Sequence, residues 1–358
     1  MESFIVSALK YRPKNFKQVI GQEQITLTLE NAIESNQLPQ ALLFCGPRGV
    51  GKTSCARILA KKINEQDNIT SEHDFAFNIF ELDAASNNSV DDIRKLNDQV
   101  RIPPQIGNYK IYIIDEVHML SLSAFNAFLK TLEEPPKHAI FILATTEKNK
   151  IIPTILSRCQ IYDFKRISVN KIKEFLIKIC ELKNINFEED ALILIAQKAD
   201  GAMRDALSIF DRMVSFTSGN LLTDNVSINL NVLDYESFFL LSDLIKENQI
   251  PNILIEFNDI ISKGYDTLHF INGLANHIRM LVLCKDSSTT ELLEVGDKTK
   301  KKYIDQSQKF NLDWLIDALK IIKEAEVNHK FSINKRLNTE LCLMQLASLH
   351  FNGEKKKV

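Results

Sequence analysis

One eight-residue stretch, Gly46 to Thr53 (Gly-Pro-Arg-Gly-Val-Gly-Lys-Thr), constrains the fold more than any other part of the chain. The run Ala41 to Cys45 before it is short and apolar, as a strand buried in a parallel sheet requires. After it, Cys55, Ala56, Leu59, Ala60 and Ile63 fall on one face of a helix, so the glycine-rich loop ends at a helix N-terminus. Unpaired backbone N–H groups and the positive end of the helix dipole attract phosphate oxygens there. Gly46, Gly49 and Gly51 let the backbone wrap an anion, with Val50 between them. Lys52 can reach the terminal phosphates of a nucleotide, Ser54 follows in the first helical turn, and the Thr53 hydroxyl can ligate Mg²⁺. An ordinary glycine-rich turn is the plain alternative, and the strand and helix on either side disfavour it.

At 358 residues the chain exceeds the usual size of one core, so two or three domains are expected. Hydrophobic residues make up 45% and charged residues 25%, in keeping with a soluble globular protein. No apolar run is long enough to span a bilayer, and the N-terminus lacks a basic segment followed by an apolar one, so a cytoplasmic protein without a membrane partner is expected. The net charge of -2 gives no global basic field, and any DNA contact must come from a local patch. Cys45, Cys55, Cys159, Cys180, Cys284 and Cys342 are far apart, with no C-x-x-C pair, and read as buried free thiols.

Upstream of the loop, Tyr11-Arg12-Pro13 precedes Phe16 and then Val19-Ile20-Gly21-Gln22. Pro13 ends any preceding helix and Gly21 permits a tight turn ahead of a helix beginning near Gln22. Apolar and aromatic groups beside a phosphate cradle could sandwich an adenine, or could simply pack. Downstream, Phe75 to Leu82 suggests a second strand, and a helix spans Val90 to Val100. The strand Lys110 to Ile114 runs directly into Asp115-Glu116, an acidic pair at the sheet edge where α/β proteins bind ligands. Asp115 suits a Mg²⁺ ion and Glu116 suits polarising an attacking water, whereas a surface turn is the alternative.

Ser121 caps a helix with Phe125, Phe128, Leu129 and Leu132 on one face, leaving Lys130 off that face. A fourth strand, Ala139 to Ala144, ends at Thr145-Thr146, whose hydroxyls could bond a γ-phosphate or its attacking water. After Ile155 to Cys159 comes a fifth strand, Gln160 to Phe164. Past Arg166 the strands are expected to stop. Helices follow from Ser168, near Glu188 to Ala199, and around Met203 to Leu207, forming a small three-helix domain. The polar stretch Thr217 to Asn231 reads as a linker. The remainder reads as helices over Tyr235–Lys246, Pro251–Ser262, Asp266–Leu283, Asn311–Asn328 and Asn334–Leu349, a bundle that suits assembly better than catalysis.

Taken together, Gly46-x4-Gly51-Lys52-Thr53, Asp115-Glu116-Val-His118, Thr145-Thr146-Glu147, Ser157-Arg158-Cys159 and Gly201-x2-Arg204-Asp-Ala-Leu207 resemble the clamp-loader branch of the AAA+ ATPases. Tyr11-Arg-Pro13, Val19-Ile-Gly-Gln22, Glu81 to Ser86, Phe125-Asn126 and Leu129 to Pro136 make the chain similar to the gamma/tau clamp-loader subunits of bacterial DNA polymerase III. The likeness is dense from about Tyr11 to Phe210. Beyond that it rests on Asn334-Lys-Arg-Leu337 with Glu340, similar to the family's collar helix.

The resemblance implies a five-stranded parallel AAA+ domain over 1–166, a three-helix lid over 167–220 and a helical collar over 221–358. It implies ATP and Mg²⁺ as ligands: Lys52 and Thr53 on phosphate and metal, Asp115 and Glu116 as the Walker B pair, and Thr146 (or Thr145) as sensor 1. Arg204, beside Met203 on the lid, would be sensor 2. Tyr11, Arg12, Pro13, Val19 and Ile20 would line the nucleotide site. Arg158 would be an arginine finger inserted in trans into a neighbouring subunit's site, a device worth on the order of 10³–10⁵ in rate in studied NTPases. Lys130 resembles a residue that couples one site to the next.

The implied partners are copies of the chain itself, delta- and delta-prime-like subunits, a sliding clamp and primer-template DNA held by sequence-independent phosphate contacts. Arg94, Lys95 and Arg101 are DNA-contact candidates or solvated helix charges. Two departures stand out. The family's four-cysteine zinc module has no counterpart in Lys62 to Asp74, which holds no cysteine, so no zinc is expected and His73 reads as a solvated loop residue. The chain also stops at Val358, so it is gamma-like or lacks a tau-type tail. A non-hydrolysing clamp-loader stator and an AAA+ DNA-remodelling motor are the alternative functions. A small-molecule kinase is disfavoured for want of an acceptor site.

Overall fold

A strand order of β2-β3-β4-β1-β5, with every pairing parallel, organises the N-terminal part of the chain in the computed structural model. The structure describes residues 6–66, 77–230, 235–293 and 295–349. The chain divides into two compact units, Met1–Ile172 with Ala199–Asp211, and Lys173–Lys198 with Arg212–Val358.

In the first unit, short helix α1 (Ser7–Lys10) and α2 (Glu23–Glu34) lead to β1 (Ala41–Cys45) and α3 (Lys52–Gln66). There follow β2 (Ile79–Asp83), α4 (Val90–Val100), β3 (Lys110–Asp115), α5 (Leu122–Glu133), β4 (Ala139–Thr145), α6 (Pro153–Leu156) and β5 (Gln160–Asp163). Central β1 and β4 are buried at every residue, as the continuous apolar runs of a doubly covered sheet require. Their side chains alternate between two cores. Leu42, Phe44, Ile140 and Ile142 pack with Leu29 of α2 and Leu59 of α3. Leu43, Phe141 and Leu143 pack on the other side with Ile93 of α4 and Phe128 of α5. All five expected strands are present. The second is shorter than its apolar pattern, beginning at Ile79, and Phe75 lies outside the described residues.

Three helix starts of this unit show the capping chemistry that fixes where they begin. Ser89 and Asp92 form a reciprocal capping box on α4. The Ser121 hydroxyl accepts from the Ala124 N–H on α5, and Pro153 stands in the first turn of α6. At β1, Leu42 to Cys45 pairs with Gln160 to Asp163 on one side and Ala41 to Cys45 with Phe141 to Thr145 on the other. The strand ends at Cys45, Asp115 and Thr145 therefore share one edge of the sheet.

The remaining helices are α7 (Val169–Lys183), α8 (Glu189–Lys198), α9 (Met203–Phe216), α10 (Thr223–Leu230), α11 (Tyr235–Lys246), α12 (Ile250–Ser262), α13 (Thr267–Leu283), α14 (Asp297–Ser307), α15 (Leu312–His329) and α16 (Lys335–Ser348). Three features depart from the sequence reading. A two-residue pair, β6 (Asn186–Phe187) with β7 (Asn220–Leu221), runs in parallel where strands were expected to stop. Two residues are too few for any periodicity to register. Within the expected linker, Thr223 to Leu230 forms α10, because Val226 and Leu230 are buried beneath an otherwise polar turn sequence. Helix α14 was not expected: its lysine-rich exposed face hides Tyr303 and Gln306, which are buried. The second unit is built on one large core in which Phe257, Phe270, Leu274, Ile278, Leu315 and Ile322 are all essentially inaccessible.

Candidate functional site

The loop between β1 and α3 forms a cradle whose shape depends on glycine at specific points. Gly46 has φ of +144°, and a Cβ there would collide with the Phe164 carbonyl. Gly49 has φ of +77°, and a Cβ would approach Ala202 Cβ to 3.0 Å. Positive φ and close backbone approach together make these positions costly for any other residue. Val50 is buried, and Val19 stands 3.7 Å from where a Gly51 Cβ would lie. Gln22, buried at the head of α2, ties three segments together: its amide donates to Lys165 O at 2.7 Å and Val50 O at 3.4 Å, while its oxygen accepts from Lys165 N–H at 3.3 Å.

Lys52 is 6% exposed and donates to the loop's own carbonyls, Gly46 O and Pro47 O, each at 2.7 Å. Burial pulls its ammonium below the usual lysine range, and the Glu116 and Asp115 carboxylates oppose that pull. The Thr53 hydroxyl donates to Asp115 Oδ2 at 2.6 Å. The other Asp115 oxygen accepts from Glu116 N–H at 2.9 Å. A hydroxyl and a carboxylate in contact, at the foot of a phosphate cradle, are the hard oxygen donors that Mg²⁺ accepts. The residues present therefore fit that ion.

Glu116 adopts a left-handed conformation, φ +48°, and heads a short 3-10 turn over Val117–Met119. A non-glycine residue with positive φ is uncommon and is held there by its surroundings. Its Oε2 accepts from the Thr146 hydroxyl at 3.0 Å. Thr145 is fully buried and turns toward His118, with Oγ1 3.0 Å from Nδ1. The two threonines are thus distinguished: Thr146 addresses Glu116, and Thr145 addresses the turn behind it.

A cluster of guanidinium groups borders the cradle. Arg12 Nε donates to Ser54 Oγ at 3.4 Å. Burial and then the Arg57 charge hold Arg12 below its ordinary range; Arg204 adds to this, while Glu81 and Asp115 oppose it. Arg57 forms a two-pronged ion pair with Glu81, one contact being 2.5 Å. Arg204 lies in the first turn of α9, its backbone N–H donating to Gly49 O at 3.4 Å. Tyr11, Pro13, Ile20 and Met203 are half-buried and Val19 is buried.

Arg158 is placed elsewhere. It immediately precedes Cys159 and β5, and Gln160 is in register with Leu42 at the beginning of β1, whereas the cradle follows the end of β1. Strand rise separates the two by on the order of 10 Å along the sheet. The guanidinium is 34% exposed and donates to Glu133 at 2.7 Å and Thr154 O at 2.8 Å. Lys130, Lys95 and Arg101 are exposed, and Arg94 pairs with Asp91 at 3.1 Å.

Sequence reasoning assigned no role to Gln22, Arg57, Glu81, His118 or Glu147, all of which touch this constellation. Glu81 and Glu147 fall just inside or after strand ends that align with Asp115 and Thr145, which is the signal that could have found them. No group of three or more His, Cys, Asp or Glu residues suited to a metal occurs among the described residues. The zinc expectation concerned Lys62 to Asp74, where residues 67–74, including His73, lie outside the described residues. All six cysteines are unpaired, five of them buried. No helix among the described residues is long and apolar enough to cross a membrane.

Two family models match the chain: "DNA polymerase III, delta subunit" over residues 21–168, and "DNA polymerase III clamp loader subunit, ATPase lid domain" over residues 171–219. DNA polymerase III subunit gamma of Buchnera aphidicola subsp. Schizaphis graminum is 33% identical over 358 residues, covering 96% of this chain and 98% of that protein. DNA polymerase III subunit tau of Bacillus subtilis is 37% identical over 348 residues, and that of Escherichia coli 39% identical over 296 residues. The chain covers 62% and 46% of those two proteins, and the alignments take in 94% and 78% of it. A solved Thermotoga maritima RuvB mutant superposes with a TM-score of 0.50 at 22% identity, over 72% of this chain and 89% of that one, a likeness of fold.

Proposed function

This chain belongs to the gamma/tau subunit family of DNA polymerase III, and we propose from that premise that it is the ATP-hydrolysing motor subunit of a replication clamp loader. In this reading ATP binding favours an assembly that opens a sliding clamp around primer-template DNA, and hydrolysis releases the clamp. The partners are copies of this chain, delta- and delta-prime-like subunits, the clamp, and DNA held through its phosphates. The AAA+ domain, lid and collar correspond to 1–166, 167–220 and 221–358, and the protein works in the cytoplasm.

One observation carries the reading: the Thr53 hydroxyl and Asp115 carboxylate are in contact at 2.6 Å, and Glu116 follows on a turn that presents it beside Thr146. A chain that only bound its partners would have no use for a carboxylate held in a strained backbone next to a complete cradle. Lys52 exchanges its two loop carbonyls for phosphate oxygens of ATP, and the backbone N–H groups from Gly49 to Thr53 hold the rest of the chain of phosphates. Thr53 and Asp115 would hold Mg²⁺, which when bound neutralises charge developing on the phosphates. Glu116 accepts the proton of the attacking water, and Thr146, as sensor 1, fixes the carboxylate oxygen that does so. Arg12 and Arg204 supply positive charge from the same chain. Arg158, set at the opposite edge of the sheet and anchored by Glu133, is available to a neighbouring subunit.

The test is Glu116→Gln in the assembled complex. Binding of a fluorescent ATP analogue should persist, while single-turnover hydrolysis falls by about 10²–10⁴, the contribution of a general base. Hydrolysis at the unsubstituted rate would overturn the reading. ATPase stimulation by primer-template DNA should also depend on the clamp. Stimulation by DNA alone would favour a DNA-remodelling motor.

A further inference from the structure

His118 occupies the 3-10 turn after the acidic pair, and its side chain is only 6% exposed. Its two ring nitrogens face two carboxylates: Nδ1 lies 3.4 Å from Glu116 Oε2, and Nε2 lies 3.5 Å from Glu147 Oε1. Nδ1 is also 3.0 Å from Thr145 Oγ1, which accepts from the Glu147 N–H at 3.0 Å. The same Glu147 oxygen, Oε1, is also paired with Lys150 at 2.8 Å. Thr146 reaches the same Glu116 oxygen that His118 faces.

A neutral imidazole carries one N–H, and which nitrogen bears it is set by the partner of the other. When the Thr145 hydroxyl donates to Nδ1, the ring proton sits on Nε2 and is directed at Glu147. When Thr145 accepts from Nδ1–H, the same N–H is also directed at Glu116. In its neutral form the ring therefore gives its donor to one carboxylate or the other, and the orientation of a single hydroxyl selects which.

We propose that His118 is a positioning residue: it couples the Thr145 hydroxyl, at the end of β4, to the orientation of the Glu116 carboxylate. The inference rests on the reading of Glu116 as the group that activates water. His118 does not touch the cradle through any of these contacts, so its effect is on the rate of the chemical step and not on nucleotide affinity.

The experiment is a double-substitution cycle in the full chain, assembled with its partners. His118→Ala should slow single-turnover hydrolysis about tenfold, the scale at which outer hydrogen-bond partners of a reacting group act. The dissociation constant for a fluorescent ATP analogue should be unchanged. His118→Asn, which keeps an amide near the Nδ1 position, should recover much of the rate. In a Glu116→Gln background, His118→Ala should cause no further loss, because the imidazole acts through that carboxylate. A His118→Ala protein that hydrolyses normally while Glu116→Gln is inactive would overturn the inference and leave the function standing. An equal loss in both backgrounds, or a parallel loss of ATP affinity, would assign His118 a purely structural role. Normal hydrolysis by Glu116→Gln would remove the underlying reading instead.

Discussion

Asp115 has both carboxylate oxygens engaged, one by the Thr53 hydroxyl and one by the Glu116 N–H. The identity of these residues was legible in the sequence, because an acidic pair directly after an apolar strand has few other uses behind a phosphate loop. Their connections were not legible. The separation of Thr145 from Thr146 depends on how β4 ends, and the involvement of His118 depends on the left-handed turn at Glu116, which nothing in the local composition demands. The same limit applies to His277, a residue of α13 that stood out in no pattern. It is enclosed by Phe238, Phe239 and Tyr303, with Nδ1 2.9 Å from the Tyr303 hydroxyl and Nε2 3.1 Å from Gln306 Oε1. Gln306 in turn donates to Phe239 O at 2.8 Å and Asp243 at 3.0 Å, which turns its oxygen toward the ring. A neutral imidazole satisfies every one of these partners. Burial accordingly pushes its pKa down to about 3. The unfolded ring protonates near its ordinary pKa, and the folded ring does not until about 3. Stability from this group is therefore complete above about pH 6.5 and falls as pH drops, by about 1.4 kcal/mol per unit. His277→Gln should flatten the pH dependence of unfolding between about pH 5 and 6.5, where carboxylates contribute least. Fluorescence of Trp314, the single tryptophan, reports on this unit. Slopes identical with and without the imidazole would refute the assignment.

At the scale of elements, long periodic segments could be read directly and short or lysine-rich ones could not. The central strands β1 and β4 are apolar runs buried at every residue, whereas the edge strands β2 and β5 mix apolar with polar residues and are partly exposed. Helix α14 was missed because its sequence, Asp-Lys-Thr-Lys-Lys-Lys-Tyr-Ile-Asp-Gln-Ser, presents a lysine run before any apolar periodicity. It is held by Tyr303 and Gln306 against His277 of α13, an interaction that no single-segment pattern contains. Helix α13 also bears Gly273 in its interior, a position where alanine is favoured by about 1 kcal/mol on propensity alone. Here a Cβ would lie 2.5 Å from Phe238 Cζ, and Phe238 is itself buried and packed against Phe270 and His277. Overpacking of this kind costs about 1–3 kcal/mol, which outweighs the helical gain. Gly273→Ala should therefore lower the denaturation midpoint of this unit without changing ATP binding in the first unit. A stabilised variant would mean that Phe238 has room to move.

For the whole molecule, the distribution of functional groups matters more than their number. The cradle, the acidic pair, Thr146, Arg12 and Arg204 all belong to one edge of the sheet, whereas Arg158 stands before β5 at the other, held by Glu133 and Thr154. The sequence offered the resemblance that suggests a finger supplied in trans. The register of β5 against β1 adds a physical reason why the residue is out of reach of its own cradle. On the proposed reading, where two copies of this chain are neighbours in the assembly, each competent site would take Glu116 from one copy and Arg158 from the next. Complexes made wholly with Arg158→Ala should lose stimulated hydrolysis by on the order of 10³–10⁵ while retaining ATP. Complexes made wholly with Glu116→Gln should be inactive for a different reason. Mixing the two chains before assembly separates cis from trans use of the arginine. An Arg158→Ala copy still offers Glu116, and a Glu116→Gln copy still offers Arg158, so an interface that pairs them in the right order is complete. Random equimolar mixing makes about a quarter of such interfaces competent, enough to see against either parent. If Arg158 served its own chain's site, no mixed interface would be whole, and the mixture would remain as inactive as its components.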